Sequence, residues 1–321
     1  EQNEIYAALP GVLLPWYEKN ARDLPWRHTK EPYRVWVSEI MLQQNQGEAV
    51  KPYFERFLSQ LPSIQALASC PEDRLLKLWE GLGYYSRARN LQKAARLLVE
   101  QYGGQLPADY RQLTGLPGIG DYTAGAIASI AFGIAVPAVD GNVLRVISRI
   151  LCCGDDIVLP QTKQSFRQLL LPVVPQHSAG DFNQALMELG ATVCLPSSAR
   201  CLLCPLAALC RAHQEGCTQQ TGKSAQKARQ IQQRTLFAIL CRTAEGTFTL
   251  LHRRPDSGLL AGLWEIPSVE GALTEEQAQQ AAANYGRLYA GLVIVMLPTL
   301  ILYICVQKKL TEGMSLGGLK G

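Results

Sequence analysis

Charged side chains are scarce in this chain: Asp, Glu, Lys and Arg make up 18% of its 321 residues, below the quarter usual for globular domains. Alongside 47% hydrophobic residues, that scarcity excludes a polar disordered chain and fits a soluble globular one. The length exceeds one typical domain and falls short of three. A net charge of +4 permits nucleic-acid binding without establishing it. Alternating strand patterns are missing before about residue 230, which leaves an all-α N-terminal part. The chain opens at Glu1 without a basic segment followed by an apolar one, so no secretory signal is expected.

What is present concentrates between Gly115 and Ile147, GLPGIGDYTAGAIASIAFGIAVPAVDGNVLRVI. Leu116-Pro-Gly-Ile-Gly120 has two glycines two apart, which predicts a tight turn with positive φ, and the small residues from Tyr122 to Phe132 predict a helix. Free backbone N–H groups at such a helix start suit a phosphate oxygen. Asp140, beside Gly141, precedes the apolar-periodic run Val143–Leu151 and is placed like a helix cap.

Further helical patterns cover Glu4–Asn20, interrupted by Pro10 and Pro15, then Tyr33–Gln60, Pro71–Trp79, Ala88–Tyr102, Phe166–Leu171 and Phe182–Thr192. Val37-Ser-Glu-Ile-Met-Leu-Gln-Gln-Asn45 sets Glu39 in a largely apolar helical segment. A buried glutamate there is costly unless paired or protonated, which makes it a candidate general acid; periodicity alone allows a solvent-facing Glu39 equally well. Trp79-Glu-Gly-Leu-Gly-Tyr-Tyr-Ser-Arg-Ala-Arg89 puts apolar and aromatic side chains on a glycine-containing turn beside two arginines. Such a turn suits insertion into a base stack with Arg87 and Arg89 on phosphates, although Tyr84 and Tyr85 as plain packing residues fit the same pattern.

Ten cysteines occur, and Cys194, Cys201, Cys204 and Cys210 form C-x6-C-x2-C-x5-C. Disulfides would need an oxidising compartment and strained small loops, so metal ligation is the better reading. Four thiolates suit a structural zinc or an iron–sulfur cluster, and spacing of this kind does not choose between them. The other cysteines read as ordinary reduced residues.

These segments together resemble the helix-hairpin-helix DNA glycosylases, and in detail the adenine DNA glycosylase family, over about residues 5 to 285. Leu116–Gly120 resembles the family's hairpin, and the stretch around Asp140 its Gly/Pro-rich loop ending in an aspartate. Ser38-Glu-Ile-Met-Leu-Gln-Gln44 resembles the active-site helix, and Arg22-Asp-Leu-Pro-Trp-Arg27 the family's pocket-lining motif. The cysteine loop resembles the [4Fe–4S] loop of that family and of endonuclease III, so the resemblance implies a [4Fe–4S] cluster held by Cys194, Cys201, Cys204 and Cys210, with Arg200 and Arg211 near DNA phosphates.

What the resemblance implies is hydrolysis of the N-glycosidic bond of adenine mispaired with 8-oxoguanine or guanine in double-stranded DNA. Glu39 would act on the flipped adenine and Asp140 on the sugar cation, with Tyr122 and Asn142 orienting them. DNA contacts would come from Gln44, Asn45, Leu82, Tyr84, Gly118, Gly120, Arg22, Trp26, Arg27 and Gln184, with Leu82 and Tyr84 intruding at the lesion pair. Endonuclease III carries a lysine two residues after the hairpin's last glycine; this chain has Tyr122 there, so no amine nucleophile is at hand and a monofunctional enzyme is expected. A bifunctional endonuclease III-like lyase and a non-catalytic DNA-binding protein are the alternatives. A monomer in the cytoplasm, associated with the nucleoid, is expected.

The implied fold is mainly α over residues 1–213, then a linker over 214–233, and then a partial α+β Nudix-like domain over 234–287, which in the family helps to recognise 8-oxoguanine. A hairpin over Arg234–Leu251 with a Glu-Gly turn and a helix over Thr274–Tyr285 are predicted there. The acidic motif of Nudix hydrolases is missing, so pyrophosphatase activity is not expected. From 288 to 321 the resemblance stops. Leu288–Val306 carries no charge and is long enough to span a bilayer, yet Gly291 and Pro298 interrupt it, so an aberrant domain end is preferred to a membrane anchor. No Ser-His loop for 8-oxoguanine is found. Asn45 stands where the family usually has threonine, and Asp121 replaces a commonly basic or neutral residue, which is expected to weaken DNA binding.

Overall fold

The computed structural model describes residues 2–223 and most of 233–284; the expected tail at 288–321, with its uncharged run, lies outside the described residues. The chain divides into two compact units, Glu1–Lys227 and Ala228–Gly321.

The first unit is helical: α1 (Gln2–Asn20), α2 (Pro32–Leu42), α3 (Gly47–Gln60), α4 (Ile64–Ser69), α5 (Glu72–Trp79), α6 (Ser86–Gln101), α7 (Tyr110–Thr114), α8 (Asp121–Ile130), α9 (Gly141–Ile150), α10 (Pro160–Leu170), α11 (Ala179–Thr192) and α12 (Arg211–Gln214). The single run predicted over Tyr33–Gln60 is in fact two helices. The break falls at Gln43–Gln46, where Gln44 takes φ +62 and Pro52 lies inside the second helix. Arg87 holds the broken end: its guanidinium donates to the carbonyls of Ile40 at 2.7 Å and Gln43 at 2.6 Å.

Two hydrophobic cores fill this unit. One is built from α2 to α8 around Trp36, Phe57 and Trp79. The other joins α1 with α9, α10 and α11 around Leu9, Leu13, Ile147 and Phe182, and reaches Leu206 in the cysteine loop. Met187 of α11 packs against both. Burying apolar area on this scale, at roughly 25 cal/mol per Å2, drives the helices together, and the seam between the cores sets two helices from distant sequence side by side.

Residues 214–223, expected as linker, pack onto the first unit instead. Gly222 donates its N–H to Ser148 Oγ at 3.1 Å, and Thr221 is 4% exposed. Cys152 and Cys217, read above as ordinary reduced residues, bring their sulfur atoms into direct contact.

In the second unit the described strands form three antiparallel pairs. β2 (Leu240–Thr243) and β3 (Gly246–Thr249) make the predicted hairpin. β1 (Arg234–Leu236), expected in that hairpin, pairs with β6 (Ser268–Glu270), and β4 (His252–Arg253) pairs with β5 (Trp264–Glu265).

Candidate active site at the seam between the cores

Glu39 lies on α2 and is 5% exposed. The sequence left open whether it faces solvent; the packing of α2 against α8 turns it inward, because Val35, Trp36, Ile40 and Met41 bury every face around it. Tyr122, in the first turn of α8, donates its hydroxyl proton to Glu39 Oε2 at 2.5 Å and sits 3.5 Å from Met187 Sδ. Burial pushes the Glu39 carboxyl up to about 7, partly offset by the Tyr122 hydrogen bond, while the nearby Asp140 raises it further. Burial also holds the Tyr122 phenol well above its ordinary range.

Asp140 caps α9. Its Oδ1 accepts from the Val143 N–H at 2.8 Å and its Oδ2 from Asn142 Nδ2 at 2.8 Å. Burial raises its pKa, and those donors oppose the rise by favouring the carboxylate. The cap is therefore both the structural device read from the sequence and a carboxylate held in a fixed direction.

A chain of hydrogen bonds runs on from the carboxylate. Arg145 Nη2 donates to Asn142 Oδ1 and to the Gly190 carbonyl, each at 2.8 Å, and its Nε donates to the Cys194 carbonyl at 2.8 Å. Arg149, 1% exposed, donates to Cys194 Sγ at 3.2 Å and to the Leu195 carbonyl at 2.8 Å. Cys194, Cys201, Cys204 and Cys210 line one cavity with Arg149 and His213. Burial pushes the Cys204 thiol up to about 11, with the other three cysteines adding to the rise; a bound metal reverses this by requiring thiolates. Among the described residues, no three of these sulfurs lie within 4.8 Å of one another. Four thiols converging on one cavity are the donor set that an iron–sulfur cluster takes, and they fit that group.

The hairpin lies between α7 and α8. Gly118 has φ +76, as the turn predicts, whereas Gly120 does not: it is extended at φ −90 and caps α8. Among the described residues, the N–H groups of Gly118 and Gly120 find no backbone partner and both glycines are exposed. Asp121 accepts a hydrogen bond from the Tyr110 hydroxyl at 2.6 Å.

Trp26, Arg27 and Gln184 line one cleft with Ser129, Gly180 and Asp181. Glu39 and Tyr122 are not among its lining residues. Arg22 and Arg27 are both clamped by Glu188 of α11, at 2.6 Å from Arg22 Nε and 2.6 Å from Arg27 Nη2. Burial pulls Glu188 up, and the two guanidinium groups more than reverse this, leaving it below the usual carboxylate range.

The turn after α5 departs from its reading in three places. Tyr84 is 60% exposed at φ +44, but Leu82, expected to intrude beside it, is 5% exposed and packs in the core. Arg87 is spent on the carbonyls of α2 and of Leu82. Arg89 pairs with Glu72 at 2.8 Å. Both arginines read as phosphate holders thus have partners within the chain, Arg87 among backbone carbonyls and Arg89 in an exposed ion pair. Asn45 Nδ2 donates to the Met41 carbonyl at 2.9 Å and reaches Leu82 O at 3.4 Å, and Gln44 is exposed.

Sequence reasoning missed Glu188, Asn183, Arg145 and Met187. Asn183, fully buried, accepts from the Ala138 N–H at 3.0 Å and donates to Val136 O at 2.9 Å, so it pins the loop that delivers Asp140. Glu188 carried the same signal as Glu39, an acidic residue within an apolar helix; nothing in the pattern marks the others.

The family described as "HhH-GPD superfamily base excision DNA repair protein" matches residues 37–175, which include Glu39, Tyr122 and Asp140. An adenine DNA glycosylase of Schizosaccharomyces pombe is 33% identical over 80% of this chain and 68% of its own length. The chain belongs to the adenine DNA glycosylase family. The human adenine DNA glycosylase is 39% identical over 88% of this chain, and the chain spans 61% of that relative's length. Among solved structures, a thermostable thymine-DNA glycosylase is 29% identical with a TM-score of 0.61, covering 66% of this chain and 98% of its own. The mainly helical helix-hairpin-helix fold expected of the family is present in the first unit.

Proposed function

We propose that this chain is a monofunctional adenine DNA glycosylase that hydrolyses the N-glycosidic bond of adenine mispaired with 8-oxoguanine or guanine in double-stranded DNA, leaving an abasic site. The observation that carries the reading is the convergence of Glu39, Tyr122 and Asp140 at one seam, two buried carboxylates in different environments and close enough for Asp140 to raise the Glu39 carboxyl, with the phenol bonded to Glu39. A carboxyl pushed up to about 7 by burial is protonated in good part at neutral pH and serves as a general acid, worth ~10²- to 10⁴-fold in rate.

In this reading the hairpin N–H groups at Gly118 and Gly120 hold a phosphate and the adenine leaves the stack. Glu39 gives its proton to adenine N7, the C1′–N9 bond breaks with its electron pair going to the base, and Asp140 stabilises the sugar cation as the paired carboxylate does in glycoside hydrolysis. A water adds to C1′ and loses a proton. Asn142 fixes the Asp140 carboxylate, and Tyr84 is the exposed side chain suited to the gap left in the stack. Cys194, Cys201, Cys204 and Cys210 would hold a [4Fe–4S] cluster that ties the loop to α9. The second unit would read the opposite base as a partial Nudix-like domain, and the protein would act as a monomer.

The test is single-turnover excision on duplexes with A:8-oxoguanine, A:G and A:C, with and without alkali, for the wild type, Glu39→Gln and Asp140→Asn. The expected result is fastest loss of adenine opposite 8-oxoguanine, breaks only after alkali, and loss of excision with retained DNA binding in both variants. Breaks without alkali, with a borohydride-trapped covalent adduct, would overturn it in favour of a lyase; full excision by either variant would remove that residue from its role.

A further inference from the structure

α10 sets a cation beside the helix that leads into the hairpin. Thr162, Phe166 and Leu170, four apart, bury one stripe of α10, and Arg167 flanks that stripe, half-buried. Its guanidinium carbon lies over the Tyr110 ring, 4.5 Å from the centroid, so the side chain is held rather than free to sweep through solvent. Its Nε is buried without a partner, and among the described residues its two terminal NH2 groups find none either. A guanidinium in this state is the donor that phosphate oxygens accept from in pairs.

Tyr110 links that cation to the hairpin. It opens α7, and its hydroxyl donates to Asp121 Oδ1 at 2.6 Å. Asp121 directly follows Gly120, whose N–H has no backbone partner among the described residues. Burial and the Asp121 hydrogen bond push the Tyr110 phenol up, whereas the charge of Arg167 draws it down. The hydroxyl therefore stays a donor, and the Arg167 charge is felt at the end of the ring that faces Asp121. Asp121 is exposed, and alone it would repel a phosphate arriving at the N–H groups of Gly118 and Gly120. One ring thus holds a carboxylate at its hydroxyl and a guanidinium on its face. Together the two charges cancel, and the cation still has N–H groups to give.

We propose that Arg167 is a DNA-backbone contact: its guanidinium takes a phosphate neighbouring the one held at the hairpin, Tyr110 positions it, and Asp121 is offset rather than left to repel the strand. The inference rests on the hairpin reading above and adds a contact from outside the hairpin. It does not depend on which base is excised.

The experiment is fluorescence anisotropy of the full chain across a salt series, on a duplex with A:8-oxoguanine and on a fully paired duplex of the same length. The proteins are wild type, Arg167→Gln, Tyr110→Phe, and Tyr110→Phe combined with Asp121→Asn. Arg167→Gln is expected to bind both duplexes about tenfold more weakly at low salt, with the slope of log K against log salt reduced by about 0.9, the share of one phosphate. Tyr110→Phe keeps the ring under Arg167 but releases the Asp121 carboxylate, so its affinity falls and Asp121→Asn restores it. An unchanged salt slope in Arg167→Gln overturns the assignment, whether or not affinity falls. Should that variant fail to fold, modification of wild-type arginines with phenylglyoxal, read by peptide mass spectrometry, decides: protection of Arg167 by duplex DNA supports the contact, and equal modification with and without duplex overturns it. A wild type that leaves adenine in place yet shows the Arg167-dependent slope defeats the proposed excision and leaves this contact standing.

Discussion

The Tyr122 hydroxyl donates to Glu39 Oε2 at 2.5 Å across 83 residues of sequence, joining the first turn of α8 to the middle of α2. The bond favours the carboxylate form of Glu39, against a larger push from burial toward the acid. Proton delivery by Glu39 therefore requires a pH below its folded value, and excision is expected to fall as pH rises through about 7. Tyr122→Phe removes the one hydrogen bond that lowers the Glu39 value, so the alkaline limb of the single-turnover profile is expected to move to higher pH. A limb that stays in place would show that Glu39 is not the titrating acid.

The same displacement predicts how stability responds to pH. A carboxyl raised from 4.5 to about 7 binds more protons folded than unfolded between those values. Stability from this group is thus fully present at low pH and lost as pH rises through the folded value. Glu39→Gln removes the penalty, and its unfolding free energy is expected to exceed that of the wild type by roughly 1–3 kcal/mol above neutrality, with little difference in mild acid. Urea denaturation at both pH values checks this; a variant equally stable relative to wild type at each would contradict the burial argument.

Glu188 joins Arg22 and Arg27 at a side chain with no exposed surface. Breaking a buried pair from one side leaves charge uncompensated, so Glu188→Ala is expected to cost about 3–5 kcal/mol and to loosen the cleft wall that Arg27 and Trp26 form. Thermal unfolding gives the stability, and weakened excision on top of it the functional effect. A midpoint unchanged from wild type would mean that the guanidinium groups find other partners.

Gly118 permits no side chain. At φ +76 a Cβ would lie 2.7 Å from Asn90 Cβ, adding strain of about 1–3 kcal/mol and a clash with α6. Gly118→Ala is expected to weaken duplex binding by at least about tenfold, the equivalent of 1.4 kcal/mol, and to leave excision at saturating DNA nearer to wild type. Fluorescence anisotropy with matched single-turnover rates separates the two; unaltered affinity would take the hairpin out of the interface.

The helical class, the hairpin at Leu116–Gly120, the four-cysteine loop and the candidacy of Glu39 and Asp140 are legible in the order of residues alone. Those signals are local: apolar spacing, glycine at a turn, a cap before a helix, thiols at short intervals. Packing settles everything that depends on which faces meet. It turned Glu39 inward, set Tyr122 against it, clamped Arg22 and Arg27 with Glu188, and withdrew Leu82 and Arg87 into the fold. It also split the run over 33–60 at Gln43–Gln46 and brought Cys152 to Cys217. The reason is one of range: a spacing rule sees neighbours a few residues apart, whereas burial, which raises the Glu39 carboxyl and fixes the site, comes from two cores closing on each other over the whole first unit.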